Sequence, residues 1–454
     1  MKIGLCVAAA ALAGVAGSAA AQSVSPAAFV SNNGNLRGSI TSYRVNSDGT
    51  LTLVQDLVTG ERPSGGAYVN GTNAYSISIS PNGKYVAVSH ATGLTNEMVT
   101  VVRVNADATL TPYTTFPVPD SPLDLLWLGD DALAVTETRS SGTNFVRVYR
   151  FNEAAGTFTQ FDSEVVPGFC SSLALSADGN WLVANQSPLG GSATVHSFRV
   201  NADHSLTYAS GASFSGYALG LCFGPNDGAV YACAGSLGNW ITGYGFNADT
   251  GQLSYLAGTP YAVPGSSPKQ AVLSPSGTKM LVGYGSDGTV RSFTVDPENG
   301  DIAATGHLFD VGIQGSLGAI ATLLVQGAGG PLELALFTDR ETYDGTGRGL
   351  CSFVIESDGS LTQKSLRVDG GGIAPNDVVA WAGVAGGGGG CGTADFDGDG
   401  DTATDADIEA FFACLAGNCC ATCWSGGADF DGDGDTATDA DIEAFFRVLA
   451  GGEC

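Results

Sequence analysis

The chain has 454 residues with 45 Asp and Glu against 18 Lys and Arg, a formal net charge of −27 at pH 7. That imbalance excludes nucleic acid as a partner, because phosphate backbones are held by basic patches. Hydrophobic residues at 44 % exclude a disordered chain, and charged residues at only 14 % point to an all-β extracellular protein whose surface relies on Ser, Thr, Asn and Gly.

The first residues read as a leader. Met1-Lys2 precedes an apolar run from Ile3 to Ala16, and Ala19-Ala20-Ala21 supplies an A-x-A cleavage site. A signal peptide over residues 1–21 is expected, and with it a secreted or cell-surface protein. A later apolar stretch, Ser316 to Phe337, is broken by Gly327-Ala328-Gly329-Gly330-Pro331 and carries Glu333. It lacks the ~20 unbroken apolar residues of a membrane helix, so no transmembrane segment is expected in the mature chain. Beyond Cys6, four cysteines (Cys170, Cys222, Cys233, Cys351) lie in the body and six (Cys391, Cys414, Cys419, Cys420, Cys423, Cys454) at the end. Both groups are even, as expected in an oxidising compartment, and Cys420-Ala421-Thr422-Cys423 reads as a disulfide pair because no His cluster or second pair accompanies it.

Residues 22–385 repeat themselves. An alternating strand, a polar turn and a further apolar residue, as in Tyr43-Arg44-Val45-Asn46-Ser47-Asp48-Gly49-Thr50-Leu51, recur in seven copies spaced 45 to 60 residues apart. A second phrase precedes most copies: strand, Pro/Gly/Asp turn, strand, as in Ile77 to Val88 and Leu173 to Val183. Asn-Gly and Asp-Gly between apolar runs mark hairpins, since these residues accept the positive φ of a tight turn. Two hairpins per repeat make a four-stranded blade, so the body is predicted to be an all-β seven-bladed propeller. Ala28-Phe29-Val30 and Asp377 to Trp381 each lack a full set of partners, and pairing them in one blade would close the ring and hide two edges.

The variable loops between the second and third strands should share one face with the entries to the blades. At the ends of the second strands stand His90, Glu137 with Arg139, Gln186, Tyr284, and Asp339 with Arg340, expected to ring one mouth of the channel. The phrases Ser80 to Val88 and Ser352 to Leu361 resemble the seven-bladed propeller lactonases, which include bacterial 6-phosphogluconolactonases and the fold-related muconate cyclases. The resemblance covers Ser23 to Gly383 and implies hydrolysis of a lactone. Such chemistry requires a base to activate water and cations to hold an anionic carbohydrate, and His90, Glu137, Arg139 and Arg340 are residues of those types. Two readings therefore stand: a scaffold binding a glycan, lactone or protein, or a lactonase-like hydrolase acting on a sugar or other lactone.

Five glycines, 386–390, form a linker to a distinct end. Residues 391–454 hold 15 acids and one base, and Ala394 to Phe412 recurs residue for residue from Ala428 to Phe446. Asp395, Asp397, Asp399 and Gly400 match the opening of an EF-hand Ca²⁺ loop, in which alternate carboxylates converge on one ion. Asp401 follows, and Asp407 is expected in the bidentate role of a loop one residue longer than usual. The second copy offers Asp429, Asp431, Asp433, Asp435 and Asp441. Ile408, Phe411, Phe412 and Leu415, and their repeats Ile442, Phe445, Phe446 and Leu449, form apolar helix faces that should pack on each other. A duplicated loop and following helix resembles dockerin modules of the Gly/Cys-rich C-terminal kind. That resemblance implies Ca²⁺ as cofactor and a cohesin-like or cell-surface partner.

Overall fold

The computed structural model describes residues 26–450, apart from 65, 67–69, 93–96, 140–142, 188–192, 218, 236–237, 264, 266, 286–287, 311–315, 328, 341–348, 384–393, 400, 421–422, 424–427, 429 and 431–437. The leader, the glycine linker and Asp429, Asp431, Asp433 and Asp435 lie outside the described residues. Residues 24–385 form one compact unit, and residues 386–454 fall in a second.

The first unit is a seven-bladed propeller, seven antiparallel sheets each with a path of four strands. Blades 2 to 7 span residues 74–117, 125–166, 173–214, 221–262, 268–310 and 316–368. Blade 1 closes the ring. Its innermost strand is Pro375–Trp381, and Ala27–Asn33, Arg37–Val45 and Leu51–Glu61 follow outward. Phe29 pairs with Val379 and Ala27 with Trp381, as the unpartnered sequence ends required.

Local turn chemistry fixes these blades. In the third-to-fourth hairpin of blade 1, Asn46 N–H donates to Thr50 O (2.8 Å) and Asp48 Oδ1 accepts from Thr50 N–H (2.9 Å), with Gly49 at φ +84°. The same bonds recur at Asn105–Thr109 and Asn201–Ser205, where Ala108 and His204 occupy the left-handed position instead of glycine. Side-chain hydrogen bonds of Asp107 and Asp203 hold these turns.

The core is divided among the gaps between blades. Ala28, Val30 and Tyr43 of blade 1 pack with Leu334, Leu336 and Leu350 of blade 7, while Phe29 and Ile40 pack with Val86 and Val88 of blade 2. Each sheet is covered on both faces, so second strands such as Tyr85–His90 and Ala132–Glu137 are buried throughout. Full burial of one such Val, Leu or Phe contributes about 1.5–3 kcal/mol. The four body cysteines form no disulfide, contrary to the pairing their even number invited. Cys222 and Cys233 lie on adjacent strands, but the register sets Cys222 opposite Tyr231. They serve as small apolar residues of the interblade core.

In the second unit, helices α1 (Asp405–Leu415) and α2 (Asp439–Leu449) each begin at a threonine with a full capping box, Thr404 with Asp407 and Thr438 with Asp441. Phe411 stacks on Phe445 with ring centroids 4.0 Å apart. The loop residues Phe396 and Phe430 are fully buried beside them. Phe412 and Phe446, expected on the packed face, instead lie outside at 45 % and 46 % exposure, because the two loop phenylalanines already fill the seam. Disulfides join Cys414 to Cys419 and Cys420 to Cys423. No helix among the described residues is long and apolar enough to cross a membrane.

Candidate active site in the propeller channel

The innermost strands enter the channel in a common register. The position just before Ile77, Leu125, Leu173 and Ala271 is Ser76, Asp124, Ser172 and Gln270 in blades 2, 3, 4 and 6, and just before Val378 it is Asp377 in blade 1. Several of these side chains accept a backbone N–H from the following blade. Asp377 Oδ2 takes Ile77 N–H (3.1 Å), Asp124 Oδ2 takes Leu173 N–H (2.7 Å), Ser172 Oγ takes Leu221 N–H (3.2 Å) and Gln270 Oε1 takes Ile320 N–H (2.8 Å). The channel polar groups thus double as staples between blades.

Between the starts of these strands lies a cavity of about 420 Å³ lined on all sides by innermost strands. Its chemistry is carried by Asp124, Asp377, Ser76, Lys269, Gln270 and Asn376. Ser76 Oγ sits between the two acids, 2.7 Å from Asp124 Oδ1 and 3.1 Å from Asp377 Oδ2. Burial, and then the charge of Asp377, push the Asp124 carboxyl up to about 7. Asp377 is raised by burial too, relieved by the N–H groups of Ile77 and Val378, by Ser76 and by the Lys269 charge. Lys269 is held down to about 8 by burial and by the Arg340 guanidinium, against the pull of Asp377. Its Nζ donates to Gly318 O.

Of the four residues expected to do chemistry, the structure brings only Arg340 up to this cavity. Arg340 Nη1 donates to Asn376 Oδ1 (2.6 Å), and Asn376 Nδ2 in turn holds Tyr75 O (2.7 Å). His90 is fully buried between Thr72 O (3.1 Å) and Thr100 Oγ1 (2.9 Å), and burial lowers its pKa to about 4. Glu137 is buried against Arg147 and the Tyr149 hydroxyl, and Arg139 pairs with Asp120 on the surface. None of the second-strand ends lines the cavity directly, and Arg340 touches it through Asn376. Glu137, Gln186 and Asp339 are each bonded within their own blade, to Arg147, His196 and Arg367.

In the second unit, carboxylate oxygens of Asp395, Asp397 and Asp399 lie within 4.8 Å of one another, a set of hard donors that suits Ca²⁺. Asp401 follows with its N–H on Asp399 Oδ1 (2.8 Å). Asp407 is occupied differently. Its Oδ1 accepts Phe396 N–H (2.6 Å) and Asp397 N–H (3.3 Å), and its Oδ2 accepts Thr404 N–H (2.8 Å) and Thr404 Oγ–H (2.9 Å). Asp441 makes the matching pair of bonds with Thr438. With four donors on about four lone-pair sites, Asp407 closes the loop onto the helix.

The family model for the seven-bladed β-propeller lactonases matches residues 26–173. The solved periplasmic gluconolactonase PpgL of Pseudomonas aeruginosa is 19 % identical over 78 % of this chain and 98 % of its own, with a TM-score of 0.58. A 6-phosphogluconolactonase candidate from Bacteroides fragilis is 17 % identical over 78 % and 98 %, with a TM-score of 0.56. One from Bacteroides uniformis is 17 % identical over 78 % and 99 %, with a TM-score of 0.58. No curated protein matches the chain. The fold is a seven-bladed propeller, and residues 26–173 are similar to the lactonase family model.

Proposed function

We propose that the protein is an exported lactonase-like hydrolase whose site is the channel cavity of the propeller. The observation that carries this reading is the channel cavity itself, lined by Asp124, Asp377 and Lys269 with Ser76 bonded between the two acids; burial pushes Asp124 up to about 7 and Lys269 down to about 8. A general base works best with a pKa near the working pH. The ionised Asp124 takes a proton from water as the water oxygen attacks the lactone carbonyl carbon. Lys269 draws the carbonyl oxygen's developing charge. The ring C–O bond then breaks, the proton on Asp124 passes to the departing ring oxygen, and an open hydroxy acid leaves. Asp377 and Ser76 position Asp124 and set its pKa.

The substrate class is an uncharged sugar lactone or another uncharged lactone. Two carboxylates face one lysine in the cavity, and the nearby Arg340 is committed to Asn376, so a phosphorylated lactone would meet more repulsion than attraction. The test is a pH-stat assay on glucono-1,5-lactone and its 6-phosphate, with Asp124→Asn alongside. Turnover of the neutral lactone that falls by about 10²–10⁴-fold in Asp124→Asn supports the reading. No lactone turnover above the buffer rate leaves the propeller as a binding scaffold.

The clustering of Asp395, Asp397 and Asp399 favours a second role for the acidic end, a Ca²⁺-binding, dockerin-like module that anchors the protein to a cohesin-like or cell-surface partner. Those three carboxylates, with Asp429, Asp431 and Asp433 in the repeat, would hold the ions. Calorimetric titration of the full-length protein with Ca²⁺ tests this; no uptake would remove the anchor from the proposal.

A further inference from the structure

Blade 5 departs from its neighbours at the outer edge. In blades 1 to 4, 6 and 7 the outermost strand runs unbroken, as in Leu51–Glu61, Thr157–Val166 and Ile302–Asp310. In blade 5 it is split into Gln252–Tyr255 and Tyr261–Ala262, both paired with Trp240–Asn247. The intervening residues 256–260 leave the ladder, and Thr259 Oγ1 takes Gly243 N–H (2.8 Å). This break opens a cleft of about 580 Å³ lined by Trp240, Thr242, Tyr255, Leu256, Thr259 and Pro260, with Ser215 at its margin.

Its aromatic walls are held in place before any ligand arrives. Trp240 Nε1 donates to Ser215 O (2.9 Å), and the Gly238 backbone lies so close to the indole that an added Cβ would sit 2.1 Å from Cζ3. Tyr255 donates its hydroxyl to Ser213 O (2.8 Å) and stacks on Tyr244 at 5.3 Å, yet remains 59 % exposed. Rings fixed in this way give up little rotamer freedom on binding.

We propose that this cleft is a carbohydrate-binding site, separate from the channel, that takes a neutral pyranose unit of a glycan. On a chain of net charge −27, none of the described residues lining the cleft is an acid or a base. The ligand it suits is therefore uncharged. Aromatic and aliphatic walls with the hydroxyls of Ser215, Thr242 and Thr259 match a ring that presents C–H groups on its faces and hydroxyls around its rim. A peptide adding as a strand would need a continuous edge, and the edge is interrupted here.

The experiment titrates the full-length protein with cello- and malto-oligosaccharides, reading tryptophan emission and heat. Saturable binding is expected, about millimolar for a single ring, weakened at least tenfold in Trp240→Ala and in Tyr255→Ala, and unchanged in Asp124→Asn. Tyr255 is exposed, so its variant folds and carries the test even if Trp240→Ala does not. The proposal is overturned if no oligosaccharide binds saturably, if both cleft variants bind as wild type, or if Asp124→Asn alone abolishes binding. Retention of apolar probes such as bis-ANS without any sugar binding also overturns it.

Discussion

Gly83 and Trp381 meet where the ring closes: a Cβ at position 83 would lie 2.3 Å from Cζ2 of the Trp381 indole. Trp381 ends the innermost strand of blade 1, and Gly83 occupies the left-handed position, φ +69°, in the first turn of blade 2. The last residue of the closing strand is thus seated on a hairpin of the next blade.

Gly179 provides a matched control, since it has the same φ of +69° in the corresponding turn of blade 4 with nothing within 4 Å of its Cβ position. Gly179→Ala is expected to cost about 1–2 kcal/mol from backbone strain alone. Gly83→Ala is expected to cost about 1–3 kcal/mol beyond that, because the indole must move. Urea unfolding of both variants, compared by midpoint at constant slope, separates the contact from the strain.

The pH profile of lactone turnover follows from the two tuned groups. The base must be ionised, so activity rises as pH passes about 7, and the lysine must be charged, so it falls as pH passes about 8. Asp377→Asn removes the like charge beside Asp124 and should move the acidic limb to lower pH. Ser76→Ala removes a hydroxyl that favours the ionised form and should move that limb upward. Limbs that stay in place in both variants would assign the base to another residue.

Stability carries a second signature of Asp124. Its folded-state pKa is raised from 3.8 to about 7, so the folded protein keeps a proton that the unfolded chain releases. That contribution is fully present below about pH 4 and is lost as pH rises through about 7. The difference in unfolding free energy, wild type minus Asp124→Asn, should therefore decline across pH 4 to 7 and level off above it. A flat difference across that window would contradict the raised pKa.

Calcium should stabilise the acidic module and leave the propeller alone. The core of that unit is small, with Phe396, Phe411, Phe430 and Phe445 at its centre. At one hundred times Kd each bound ion adds about 2.7 kcal/mol. In differential scanning calorimetry of the full-length protein, EDTA should lower the transition assigned to residues 391–454 and leave the main transition where it was. Asp397→Asn should remove one site, whereas Asp407→Asn should loosen the loop even without calcium, because it weakens the bonds to Phe396, Asp397 and Thr404.

The blades were legible because their turns are written in short-range chemistry: an Asn with an Asp two residues on closes the hairpin at Asn46, Asn105 and Asn201, whether glycine, alanine or histidine follows. Closure was legible as well, since Ala28 to Val30 and Asp377 to Trp381 were the two segments without partners. The channel residues carry no such local signal. Asp124 and Asp377 owe their role to seven strands meeting at one axis, and nothing local marks them except a shared register with Ser76, Ser172 and Gln270 before an apolar run. The ends of the second strands carry the His, Glu and Arg that lactone chemistry would need, but His90 and Glu137 sit within fully buried strands and are satisfied inside their own blades. In the acidic module, periodicity found the helix faces but could not reveal that Phe396 and Phe430 occupy the seam, which turned Phe412 and Phe446 outward.

The innermost strand of blade 1 also sets a condition in time. Asp377 reaches Ser76 across 301 residues of chain, and Asp377 supplies the charge that helps bring Asp124 to about 7. A nascent or clipped chain ending before Pro375 could build six blades and still have Asp124 without that neighbour. Such a fragment would carry a carboxyl of altered acidity in an unsealed channel. Asn376 to Val379 also form part of the cavity wall, so the pocket is complete only when the last strand of the propeller has docked beside the first.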